Sequence, residues 1–172
     1  MISKRRFVMV WTGGLVAFAV TVWLHLPLAL DSVPQGIVDH QVAGTAARVD
    51  FIQREWAAAG VYRNAFTAML SDIVFILLYG FGSLLGGLYF LRSARRSLRR
   101  IGAVLAIAAL VFLASDLTET TLQLLQLAAA KGEDARAAIA AAMHYPKLAS
   151  WIACFVLPLN GLLLDRAALR TA

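Results

Sequence analysis

The stretch "IGAVLAIAALVFLASDLTETTLQLLQLA", residues 101–128, decides how this chain folds. Its first fifteen residues, Ile101 to Ser115, carry no charge. A helix needs about 20 mostly apolar residues to cross a hydrocarbon core of roughly 30 Å. The run then continues, with no proline to stop it, into Asp116, Glu119, three threonines and two glutamines. One helix is therefore expected, apolar along most of its length and polar toward one end.

Three further stretches read the same way, giving spans at about 7–26, 65–91, 99–128 and 146–165. The chain of 172 residues is 60% hydrophobic and 15% charged, with a mean hydropathy of +0.73. Soluble domains are about half apolar and a quarter charged. The expected fold class is all-α, a four-transmembrane-helix bundle with one or two outer interfacial amphipathic helices. Residues 1–172 form a single polytopic membrane domain in this reading, since no repeat, linker or low-complexity tract divides them.

The net charge of +6 does not point to nucleic acid. The cations flank the spans, as "SKRR" at 3–6 and "RSARRSLRR" at 92–100, and no basic patch is interleaved with aromatics on a soluble face. Positive charge on the inner side explains them better. With both termini inside, ten Lys or Arg fall in inner segments, including Arg166 and Arg170, and six in outer ones. The outer six are offset by Asp39, Asp50, Glu55, Glu133 and Asp134. The expected location is an inner (cytoplasmic) membrane, multi-pass, with cytoplasmic N- and C-termini. "SKRR" before an apolar run imitates a signal peptide, but the run is too long for an h-region and no small-x-small site follows, so it reads as an uncleaved first span.

The single cysteine, Cys154, excludes an internal disulfide and a cysteine metal site. Disulfide-forming membrane oxidoreductases are set aside on that ground. Residues 45–62 look helical, with Val49, Ile52, Trp56 and Ala59 on one face and Asp50 four residues before Arg54. That segment reads either as an outer-interface helix anchored by Trp56 or as a connector packed on the bundle. "GSLLG" at 82–86, with Ser83 and Gly87, is a small-residue face that lets helices approach closely. It serves packing inside the bundle or homo-oligomerisation. Gly132, Glu133 and Asp134 read as the start of a second outer helix, Pro146 as the opening residue of the fourth span, and Pro158 as a kink within it. Asp165 reads as an inner-surface partner of Arg92 or Arg166.

Depth follows from a rise of about 1.5 Å per residue. Asp116 lies roughly 22 Å and Glu119 roughly 27 Å from the inner edge of their span; His25 lies at roughly 27 Å in the first. Asp72 begins the second span, and His144 and Lys147 begin the fourth. Asp116, Glu119, Thr120 and Gln123 share one helix face, as do Asp72, Tyr79, Ser83 and Gly86, and Lys147, Ser150, Trp151 and Cys154. Acids in a membrane normally face protein or water and find partners; here the partners are Lys147, His144 and His25. The candidate ligand-binding residues are therefore Asp72, Tyr79, Asp116, Glu119, Gln123, His144, Lys147 and Trp151.

Three functions fit such a cluster. The first is binding or transport of a small amphipathic or cationic ligand, with membrane lipid as the surrounding partner. The second is an intramembrane enzyme acting on a lipid or lipid-linked substrate, with Asp72, Asp116 and Glu119 as candidate catalytic carboxylates. Its outline, four spans with an outer helix and acids near the outer face, is similar to that of bacterial lipoprotein signal peptidases, whose Asn-Asp motifs this chain lacks. The third is a structural or accessory subunit, in which Lys147 and the acids merely hold helices in register. A metal site from His25, His144, Asp72 and Glu119 has no ligand spacing to support it, and no cofactor is expected.

Overall fold

Ser3 opens the first helix, its hydroxyl accepting the Arg6 backbone N–H at 3.2 Å, as an N-cap should. The structure is a computed structural model that describes residues 3–169, and side chains through Arg166; Arg170 lies outside them. Helix α1 runs Lys4–His25 and gives way at Pro27 to a single 3-10 turn, Leu26–Leu28. The short helix α2 (Ile37–Gln41) and α3 (Ala46–Ala58) follow, then the long helices α4 (Tyr62–Leu91), α5 (Arg96–Ala128) and α6 (Asp134–Leu169). Four of these, α1, α4, α5 and α6, are long and apolar enough to cross a membrane.

The long helices are neighbours in the order α1, α4, α5, α6, while the backbones of α1 and α6 stand apart. Small residues set the close approaches. A Cβ on Gly14 would lie 2.5 Å from the Tyr79 backbone, and one on Gly82 would lie 2.6 Å from that of Trp11. Gly86 faces the Phe7 ring and Gly87 faces Ala106. The "GSLLG" face and Gly87 are thus packed against α1 and α5 within the chain. Facing outward are Val16, Trp23, Ile107 and Leu163, each 64–68% exposed.

Several details differ from the sequence reading. Residues 134–169 form one helix, with Pro146 and Pro158 inside it. Pro146 therefore does not open the span; it only removes one N–H from a helix already running, and packing along α5 carries the helix through. Trp56 is not an interface anchor. It is fully buried with Leu28, Val33, Ile52, Met69 and Leu127, and its indole N–H donates to the Leu28 carbonyl at 3.0 Å. Asp50 does not pair with Arg54; its carboxylate accepts the Gly132 N–H at 2.5 Å. Asp165 pairs with Lys4 at 2.7 Å and accepts the Tyr89 hydroxyl at 3.2 Å, because α1 begins where α6 ends.

His40 belongs to α2 and is buried against α3. It is stacked on Trp56, centroids 5.3 Å apart, and neither ring nitrogen has a partner among the described residues. Burial pushes its imidazole down to about 4.

Candidate functional site

The polar residues of α5 recur at spacings of three and four, so Asp116, Glu119, Thr120 and Gln123 are buried along one stripe. That stripe meets α6 at Lys147, the residue after Pro146. Lys147 Nζ lies 2.5 Å from Glu119 Oε1 and 3.8 Å from Asp116 Oδ1. Across the bundle, His25 Nε2 lies 2.9 Å from Asp72 Oδ2. Thr21 and Ser71 join α1 to α4 between hydroxyl oxygens 2.8 Å apart.

Some of these groups border a cavity of about 470 Å³. Asp72, Asp116, His25, His144, Lys147 and Trp151 supply its polar lining. Its floor is aromatic: Phe18 contacts Phe75 at 5.1 Å and Trp151 at 5.4 Å, and Phe75 meets Phe112 at 5.8 Å. Its roof is the loop and helix between Ala29 and Gln41, including Pro34 and Gly36. Gly36 has φ +55°, which a residue without Cβ adopts freely. Its flank is the α1/α6 seam, where Val22, Leu26 and Leu148 line the cavity and are 43%, 63% and 44% exposed. The volume and the mix of apolar wall and few polar groups are those of a small-molecule site.

The two α5 acids are not equivalent. Glu119 is fully buried, does not line the cavity, and takes the short contact with Lys147. Asp116 lines the cavity, keeps 7% of its side chain exposed, and has only the 3.8 Å approach to the same lysine. Thr120 donates to it at 3.5 Å. Three acids thus share one lysine and His25. With Lys147 committed to Glu119 and His25 to Asp72, Asp116 is the acid with the loosest partner. Three nitrogens on lining residues, His25 Nδ1, His144 Nδ1 and Trp151 Nε1, have no hydrogen-bond partner among the described residues.

Of the expected site residues, Asp72, Asp116, His144, Lys147 and Trp151 come together at the cavity. Tyr79, Glu119 and Gln123 do not line it. Tyr79 is fully buried and its hydroxyl donates to the Trp151 carbonyl at 3.0 Å, pinning α4 to α6. Gln123 donates to Glu119 at 3.5 Å from the next turn. Of the aromatic floor, Trp151 was expected and Phe18 lies on one stripe with His25; Phe75, Phe112 and the roof were not expected. Pro34 and Gly36 mark a turn, but nothing in their sequence says what the turn covers. Among the described residues, no three His, Cys, Asp or Glu side chains converge as a metal site would require. Comparison with protein-family models, with curated proteins and with solved structures gives no match for the chain.

Proposed function

We propose that this chain is a multi-pass inner-membrane protein that binds or moves a small amphipathic ligand with a cationic, hydrogen-bonding head. One observation carries the reading: Asp116 lines a cavity while its neighbour Glu119 holds the only lysine there. A cationic head supplies the charge Asp116 lacks. Head-group oxygens would meet the orphaned nitrogens of His25, His144 and Trp151, and an apolar tail would leave between Val22 and Leu148. The open seam supports lateral exchange with lipid, since no helix has to unpack for a chain to pass.

Membrane insertion and orientation belong to the same reading. Lys4, Arg5, Arg6, Arg92, Arg95, Arg96, Arg99, Arg100 and Arg166 lie toward the end of the bundle opposite the cavity, as the ends of α1, α4, α5 and α6 and the Lys4–Asp165 pair dictate. Positive charge inside turns that end to the cytoplasm and the cavity to the outer leaflet. Reporters fused in the 92–95 loop and in the 42–45 loop should report cytoplasm and exterior respectively; the reverse assignment overturns the orientation.

The binding test uses a photoreactive dodecylammonium probe and a matched dodecyl sulfate probe, with the protein in phosphatidylcholine nanodiscs. Charged hydrogen bonds contribute about 1.5–3 kcal/mol, so Asp116→Asn should weaken cationic labelling by about ten- to a hundred-fold. Equal labelling by both probes, or undiminished labelling of Asp116→Asn, refutes the proposal.

The enzyme reading keeps one specific support. Asp72 holds His25 Nε2 at 2.9 Å, and an imidazole so oriented can act as a general base through its other nitrogen. It would act with Asp72 and Asp116, since Glu119 does not reach the cavity. Lipidomics of cells lacking the chain separates the two readings: a changed covalent lipid species favours catalysis, and a redistributed one favours binding or transport.

A further inference from the structure

The α1/α6 seam does not stay open along its whole length. Trp11 crosses it, donating its indole N–H to the Cys154 carbonyl at 3.1 Å and meeting the Phe155 ring at 6.2 Å. Beyond that waist, at the end of the bundle away from the first cavity, the seam parts again into a groove of about 750 Å³. Lys4, Arg5 and Arg166 stand at its end nearest the start of α1, and Val8, Leu159 and Leu163 form its walls.

Helical spacing explains the arrangement. Leu159, Leu163 and Arg166 follow one another at four and three residues on α6, and Arg5 and Val8 at three on α1, so each helix offers a stripe that is apolar inward and cationic at its end. The charges are not balanced locally. Asp165 is committed to Lys4 and Tyr89, so three cations face one carboxylate. The leucine walls remain 40% and 64% exposed. An apolar trough capped by net positive charge matches the chemistry of one occupant.

We propose that this groove binds an anionic phospholipid of the adjoining leaflet. The phosphodiester lies between Arg5 and Arg166, and an acyl chain lies along Val8, Leu159 and Leu163. Arginine suits the first task because its guanidinium presents a fork of donors to phosphate oxygens. Basic recesses between membrane helices bind acidic lipid heads in this way. The proposal rests on the membrane insertion proposed above, but the site is separate from the cavity that holds Asp116 and does not depend on the ligand proposed there.

The test compares lipid retained by the full chain after transfer from mixed phosphatidylglycerol and phosphatidylcholine micelles, read by native mass spectrometry. Wild type should retain phosphatidylglycerol in preference to phosphatidylcholine. Arg5→Gln/Arg166→Gln should lower that retention about a hundred-fold or more, since each charged hydrogen bond to the phosphodiester contributes about ten-fold or more. Both side chains are exposed, so the fold should survive, and unchanged thermal unfolding checks this. Arg96→Gln/Arg100→Gln removes the same charge at the same end but away from the groove, and should change retention only a few-fold. Equal loss in that control would overturn the proposal, because the general positive field would then account for binding. So would equal retention of the two lipids, or release of phosphatidylglycerol by millimolar inorganic phosphate, which would show a site for bare phosphate.

Discussion

Replacing Lys147 with Met tests the division of labour between the two α5 acids. In the wild type, Lys147 Nζ lies 2.5 Å from Glu119 Oε1, and the other oxygen, Glu119 Oε2, is buried without a partner. Removing the lysine leaves a fully buried carboxylate with only Gln123 beside it, at 3.5 Å. Breaking a buried pair from one side costs about 3–5 kcal/mol, whereas replacing both partners by neutral groups of similar volume is often close to neutral. Lys147→Met should therefore lose about 3–5 kcal/mol, and Lys147→Met/Glu119→Gln should recover to within about 1 kcal/mol of wild type. Asp116→Asn should cost about 1 kcal/mol or less, because its 3.8 Å approach to Lys147 lies beyond hydrogen-bond range. The assay is reversible unfolding by SDS titration in mixed micelles, with all four corners of the Lys147/Glu119 cycle measured. A cost below about 1 kcal/mol for Lys147→Met would refute the argument that Glu119 depends on it. An Asp116→Asn cost equal to that of Glu119→Gln would refute the claim that only one of the acids is structural.

Adjacent glycines of α1 should behave oppositely. Gly13→Ala meets nothing within 4 Å and should stabilise by up to about 1 kcal/mol through helix propensity, whereas Gly14→Ala presses on the Tyr79 backbone and should destabilise by about 1–3 kcal/mol, both read from the same SDS titration. His40 should make the roof acid-sensitive. Its folded value of about 4 lies below the ordinary 6.5, so an unfolded roof takes up a proton that the folded one refuses; stability present above 6.5 is lost as pH falls toward 4, by about 3 kcal/mol in all. Amide hydrogen exchange across residues 29–45 should accelerate over that window in the wild type and not in His40→Phe; identical profiles would remove His40 from the explanation.

The four long helices were legible because apolar length and flanking arginines are one-dimensional signals, readable without knowing any neighbour. The convergence of Asp72, Asp116, His144 and Lys147 was legible for a related reason: residues counted along parallel helices measure depth. Rotation about the helix axis was not. Asp116 and Glu119, three residues apart, present nearly the same face, and only the register of α5 against α6 assigns the lysine to Glu119 and the cavity to Asp116. The continuity of α6 through Pro146 was hidden because proline's local cost is fixed by sequence, while the packing that offsets it is not. Asp165 finding Lys4 joins positions at opposite ends of the chain, which no local pattern announces. The roof at 29–41 escaped for want of periodicity, its only sequence cues being Pro34 and Gly36.

Most of the chemistry falls on the one seam the bundle leaves unpacked. Helices α1 and α6 touch through Trp11 and Phe18 on one side and Cys154, Phe155 and Trp151 on the other, and those aromatics divide the seam into two recesses. One is lined by acids and histidines, the other by arginines and leucines. From Arg5 to His25 is 20 residues of a single helix, roughly 30 Å at 1.5 Å per residue. That exceeds the 7–10 Å over which substitutions normally interact. The opposite charges of the two recesses can therefore coexist in one small bundle without cancelling. The acidic recess draws its charge from Asp72 and Asp116 on α4 and α5, the basic one from Lys4, Arg5 and Arg166 on α1 and α6, and the Trp11 waist stands between them.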